Sequence, residues 1–133
     1  MFVELPEFAV IKFTGPESHS FLQGQVTCDV NTLKDSPWKG GAHCNAKGKA
    51  WSTFIAFERN SDIFLIMTKE SAESSFAEFS KYGVFSKTDI SLDTDNWLVL
   101  GATDWQADLL EMSETELSAQ IKLTDEHGLY LSP

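Results

Sequence analysis

The sequence predicts an α+β domain, a largely antiparallel sheet with helices packed on it, and three observations carry that prediction. Residues 42–57 read as a β-hairpin, two arms around the turn Asn45-Ala46-Lys47-Gly48. Within 70–82 the apolar residues Ala72, Phe76 and Phe79 recur at helical spacing among Ser, Glu and Lys. Strand-like and helix-like segments alternate irregularly with short turns, which fits antiparallel hairpins with helices inserted between them.

Taken in order, residues 8–13 are apolar-rich and end at Thr14-Gly15-Pro16, a strand and its breaker. Residues 17–23 read as a short helix, with Pro16 in its first turn, Phe21 and Leu22 as its apolar edge and Gly24 closing it. Lys39-Gly40-Gly41 reads as a loop. The hairpin arms follow over 42–45 and 49–57. In the second arm Trp51, Thr53, Ile55 and Phe57 share one face, and Ser52, Phe54, Ala56 and Glu58 the other. Asn60-Ser61 turns the chain into 62–68, which is apolar on both faces and therefore central in the sheet. The 70–82 helix ends at Gly83, and 84–92 reads as a strand. A turn at 93–96 leads to a strand over 97–102 and then a helix from Thr103 or Asp104 to Met112. Strands over 116–123 and 129–132, around an Asp125-Glu126-His127-Gly128 turn, complete the reading.

The chain's 133 residues suit one domain. No apolar run approaches the roughly 20 residues that span a bilayer. The start, Met1 to Glu7, lacks the basic residues of a signal peptide. Cys28 and Cys44 are too few and too far apart for a disulfide framework or a zinc site. A reducing, cytoplasmic setting is expected. Residues 1–88 hold nine basic and ten acidic groups, leaving −1, whereas 89–133 hold one basic and ten acidic groups, leaving −9. The C-terminal third therefore repels polyanions, and direct nucleic-acid binding is expected to be weak and confined to the N-terminal two-thirds. The chain stops at Leu129-Tyr130-Leu131-Ser132-Pro133, where a strand and turn are just beginning, so 1–133 is expected to be a fragment of a longer chain.

No Gly-rich phosphate loop is present. His19, His43 and His127 lie too far apart in sequence to read as a metal set. Cys44 beside His43 lacks any local nucleophile motif and reads as a small buried hydrophobe. Lys47 and Lys49 at the hairpin tip form a local positive spot that suits a phosphate or carboxylate, although such a pair also serves solubility. Phe8 and Trp51 suit either a flat heterocycle or the core. Asp29 reads as a turn or cap residue, or as a carboxylate for an amino-pyrimidine ring.

Three segments together resemble the YgfZ family of folate-binding proteins, relatives of the glycine-cleavage T-protein (aminomethyltransferase). They are Thr14-Gly15-Pro16-Glu17 leading into 21–30, then His43-Cys44-Asn45-Ala46-Lys47-Gly48-Lys49 with Trp51-Ser52, and Lys81-Tyr82-Gly83-Val84-Phe85-Ser86-Lys87. The resemblance implies an aminomethyltransferase-like folate-binding domain, the N-terminal part of a protein with three domains around a folate cleft. It further implies tetrahydrofolate, or a folate derivative, as cofactor, a role supporting iron–sulfur enzymes that modify tRNA, and a cytoplasmic location. On the family pattern Phe8, Gln23, Gln25, Thr27, Asp29, Asn45, Lys47, Lys49 and Trp51 would line one side of the cleft, with the lysines near the glutamate tail. Two features depart from the pattern. The Lys-Gly-Cys-x-x-Gly-Gln-Glu motif of the family is absent from this chain. T-proteins place an Asp-Asp pair, one of them catalytic, where this sequence has Ser52-Thr53, so the resemblance implies a binding module rather than an aminomethyltransferase.

Overall fold

The computed structural model describes residues 2–103, 119–123 and 127–132. Two antiparallel sheets and two helices build it in three layers. The strands are β1 (Phe2–Glu4), β2 (Phe8–Thr14), β3 (Lys39–Cys44), β4 (Ala50–Arg59), β5 (Asp62–Thr68), β6 (Asp89–Leu92), β7 (Leu98–Thr103), β8 (Ala119–Lys122) and β9 (His127–Ser132). The helices are α1 (Ser18–Gln23) and α2 (Lys69–Gly83), with short 3-10 turns at Val30–Asp35 and Thr94–Asn96. One sheet runs β3-β4-β5-β2-β6 and the other β1-β7-β9-β8. The α+β class and antiparallel pairing follow the sequence reading, and β5 is central as its two-sided apolar pattern requires.

Period-two alternation sends successive side chains of the five-stranded sheet into different cores. Ile11, Phe13, Phe54, Ala56, Leu65 and Met67 meet Phe21, Leu22, Ala72 and Phe79 of the helices. Val10, Phe57, Phe64 and Ile66 face the other way, onto Val99, Ile121, Leu129 and Leu131 of the second sheet. Each such aromatic or aliphatic side chain stabilises the fold by about 1.5–3 kcal/mol through removal from water. The helix α2 begins where the Thr68 hydroxyl accepts from the Ser71 amide, with Glu70 in its first turn and Lys81 in its last, both suited to the helix dipole.

The structure corrects three readings. Lys39-Gly40-Gly41 is not a loop but the start of β3, paired with Ala56, Ile55 and Phe54. Gly41 is needed there because a Cβ would stand 2.9 Å from the Phe54 ring and 3.1 Å from the Cys28 Cβ. Residues 84–88 are not strand. The Phe85 and Ser86 amides bond back to Tyr82 and Gly83, and pairing with β2 begins only at Asp89. His127 and Gly128 belong to β9 rather than to a turn. The second sheet as a separate layer, and β1 within it, are additions to the sequence reading. The expected helix from 104 to 112 lies outside the described residues, as do 116–118 of the expected strand and 125–126 of the expected turn.

Candidate functional site

The site is built on the β3–β4 hairpin. Asn45 makes its turn: its Oδ1 accepts from the Lys47 and Lys49 amides at 2.9 Å each, and its own amide donates to the Lys49 carbonyl at 2.8 Å. Gly48 supplies the positive φ of 82° that closes the turn. This geometry leaves both lysine side chains exposed at the tip. Beside the tip, between the hairpin and α2, lies a cleft of about 570 Å³. Gln25, Asn45, Lys47 and Trp51 line it, so the fold brings these four sequence-derived candidates together.

The other candidates lie elsewhere. Gln23 holds the following loop: its Oε1 accepts from the Val30 amide at 2.7 Å, and its Nε2 reaches the Cys28 carbonyl at 3.5 Å. Thr27 is joined to β3, its amide donating to the Ala42 carbonyl and its hydroxyl accepting from the Ala42 amide. Asp29 caps the 3-10 turn by accepting from the Asn31 amide at 3.0 Å. Phe8 lines a separate hollow of about 230 Å³ with Thr53, Ile55 and Ile66, on the sheet face away from the helices. The hollow and the cleft share no lining residue, although both touch β4, the cleft at Trp51 and the hollow at Thr53.

Six cleft residues were not among the sequence candidates: His43, Cys44, Ala46, Glu78, Lys81 and Tyr82. The last three come from α2, about 30 residues or more along the chain from the turn at 45–49. Lys81 and Tyr82 stood in the third segment that carries the family resemblance, whereas Glu78 had no sequence signal beyond a place off the apolar stripe of the helix. Cys44, expected as a buried hydrophobe, is only half-buried and lies on the cleft wall. His43 is 2% exposed and stacks on Phe79 with ring centroids 3.9 Å apart. Its Nδ1 lies 3.1 Å from the Ser75 Oγ, and Ser75 donates in turn to the Ser52 Oγ at 2.6 Å. Because the Ser75 proton goes to Ser52, the His43 Nδ1 carries the proton toward Ser75 and Nε2 is left as an acceptor. Burial pushes the His43 pKa down, partly opposed by the charge of Glu78. Ser52 is thus buried toward the helices, while Thr53 of the same pair lines the hollow beside Phe8. Burial raises the Cys28 thiol pKa, so it stays protonated at neutral pH.

Among the described residues no cluster of His, Cys, Asp and Glu is placed to hold a metal ion, and no helix is long and apolar enough to cross a membrane. What the cleft offers chemically is a mixture: cations at Lys47 and Lys81, a carboxylate at Glu78, and aromatic surface at Trp51 and Tyr82. Its volume falls within the roughly 300–1,000 Å³ of small-molecule sites.

No family model matches the sequence. The tRNA-modifying protein YgfZ of Aliivibrio fischeri (strain MJ11) is 40% identical over 121 residues, which is 91% of this chain and 37% of that protein. The tRNA-modifying protein YgfZ of Colwellia psychrerythraea is 46% identical over 90 residues, 68% of this chain and 28% of that protein. Among solved structures, the glycine cleavage system aminomethyltransferase T from Bartonella henselae superposes with a TM-score of 0.82 at 17% identity, over 98% of this chain and 40% of that one. At that identity the likeness is one of fold. The chain spans little more than a third of the length of the curated relatives it matches. Over that span it belongs to the YgfZ family, carried on an aminomethyltransferase-like fold.

Proposed function

We propose that this chain supplies one wall of a folate site in a protein linked to tRNA modification, and that it binds rather than transforms its ligand. The observation that carries the reading is the cleft at the hairpin, where Gln25, Asn45, Lys47 and Trp51 converge. A reduced folate has a flat, donor-rich ring and an anionic glutamate tail. Trp51 offers a face to the ring, and Lys47, with Lys49 at the tip, suits the tail carboxylates. Residues 1–133 act as the folate-binding domain on this reading, and partner iron–sulfur enzymes would be met by the longer protein in the cytoplasm. The role as a binder is supported by Ser52 and Thr53: neither is a carboxylate, and Ser52 is enclosed in the His43–Ser75 hydrogen-bond chain. Neither side chain of this pair carries the negative charge that would stabilise a transferring aminomethyl group.

The test is a tetrahydrofolate titration of the chain followed by tryptophan fluorescence, with glycine and sulfate as controls. Saturable quenching is expected. Replacing Lys47 and Lys49 together by Ala should weaken binding about tenfold, the scale of one charge-assisted hydrogen bond at a partly exposed site. Absence of any saturable signal at millimolar ligand would sink the reading for this segment.

A further inference from the structure

The sequence offered Asp29 as the carboxylate for an amino-pyrimidine ring, but Asp29 is exposed and committed to capping a 3-10 turn. The carboxylate that does line the cleft is Glu78. It is half-buried, and among the described residues it makes no hydrogen bond or ion pair. Its charge is felt by His43, the enclosed imidazole of the same cleft, whose Nε2 is left as an acceptor by the Ser75 bond. Trp51, 39% exposed, and Tyr82, 47% exposed, bring aromatic surface to the cleft from the hairpin and from α2.

A carboxylate with both oxygens free accepts two parallel N–H bonds. Its planar complement is a ring edge carrying two adjacent donors, and aromatic flanks favour a ring over an open-chain amidine. The cations Lys47 and Lys81 suit an anionic group on the rest of that ligand. We propose that Glu78 is a specificity-determining residue that reads the 2-amino-4-oxopyrimidine edge, the ring N–H and exocyclic NH₂ shared by a pterin and by guanine. The inference rests on the folate reading of the same cleft for one of its two sources, the pterin. An unpaired guanine nucleotide is the other source, with its phosphate toward the lysines. Adenine is excluded by chemistry, because its corresponding edge presents one donor and one acceptor, and the acceptor would face the carboxylate.

Calorimetric titration of the whole chain with tetrahydrofolate, GMP and AMP tests this, on the unchanged chain and on Glu78→Gln, Glu78→Asp and the Lys47→Ala/Lys49→Ala pair. Far-UV circular dichroism checks that each variant is folded. The expected result is that tetrahydrofolate or GMP binds at least tenfold more tightly than AMP. Glu78→Gln, which keeps the shape but offers one acceptor and one donor, should then lose at least tenfold for that ligand, and Glu78→Asp should lose less. The tighter of the two identifies the source. GMP binding without tetrahydrofolate binding would overturn the folate reading and leave the role of Glu78 standing. Tetrahydrofolate binding that is weakened by the lysine variants and indifferent to Glu78→Gln would overturn the role of Glu78 alone. AMP binding as tight as GMP, or no binding of either 2-amino-4-oxopyrimidine ligand, would also overturn it.

Discussion

At His43 the fold and a protonation state are linked. The ring is enclosed, stacked on Phe79 and bonded to Ser75, and burial lowers its pKa below the usual value of about 6.5. A depressed histidine pKa means that the unfolded chain binds the proton more readily. Its stabilising contribution is complete above the usual imidazole range and is lost as pH falls through that range toward the folded value. Urea unfolding at about pH 7.5 and at about pH 5 should therefore show a smaller loss of stability for His43→Gln than for the unchanged chain. Equal losses would remove His43 from the account. Ser75→Ala strands the His43 N–H and the Ser52 hydroxyl without their shared partner and should cost about 1–3 kcal/mol in the same assay. Thr53→Ala, at an exposed position, should stay within about 0.5 kcal/mol. Residues such as Asn45, Lys47 and Trp51 were legible because a turn and its flanks are local in sequence. Glu78 was not, because its place in the cleft depends on which face of a helix meets a hairpin distant in the chain.

Elements were legible where a local pattern decides them. The hairpin arms, β5 and α2 carry clean periods of two or of about 3.6, and Asn60-Ser61 forms the expected tight turn with φ of 53° and 68°. Glycine misled the reading at 39–41, because the usual meaning of Gly-Gly is a break in structure. In β3 the glycine instead makes room for the Phe54 ring. The same geometry gives a contrast between two substitutions. Gly41→Ala brings a Cβ against an aromatic ring packed in the core, so it should destabilise by about 1–3 kcal/mol. Gly83→Ala meets the Cδ1 of Ile90 at 2.7 Å, the free end of a partly buried side chain that can rotate, and helix propensity favours alanine there. Its cost in thermal unfolding should be the smaller of the two. A larger loss for Gly83→Ala would mean that the α2–β6 contact is stiffer than its exposure implies. Strand β1 escaped notice because three residues hold no period, and its pairing with β7 crosses almost a hundred residues of chain.

At the scale of the molecule, the five-stranded sheet is covered on both faces, by helices on one and by the second sheet on the other. Phe57 ties the two sheets together, fully buried, stacked on Phe64 and edge-on to Trp97. Phe57→Ala should cost about 3–5 kcal/mol. Near-UV and far-UV transitions should shift together, since one core holds both sheets; separate transitions would show two independent units. The layer arrangement itself was not legible, because which strands share a sheet is fixed by long-range pairing that composition and period do not encode.

The segment 26–27 has a bearing on how the protein behaves in solution. β3 is an outer strand of its sheet, and an open strand edge invites the edge of another molecule. Val26 bridges to His43, and Thr27 occupies both the N–H and the C=O of Ala42. Gln23 anchors the same loop from behind. Gln23 and Thr27, which the family pattern placed at a ligand, thus join Val26 in shielding an edge against self-association. Thr27→Ala should leave the melting temperature almost unchanged while raising concentration-dependent light scattering, as a solubility guard would require.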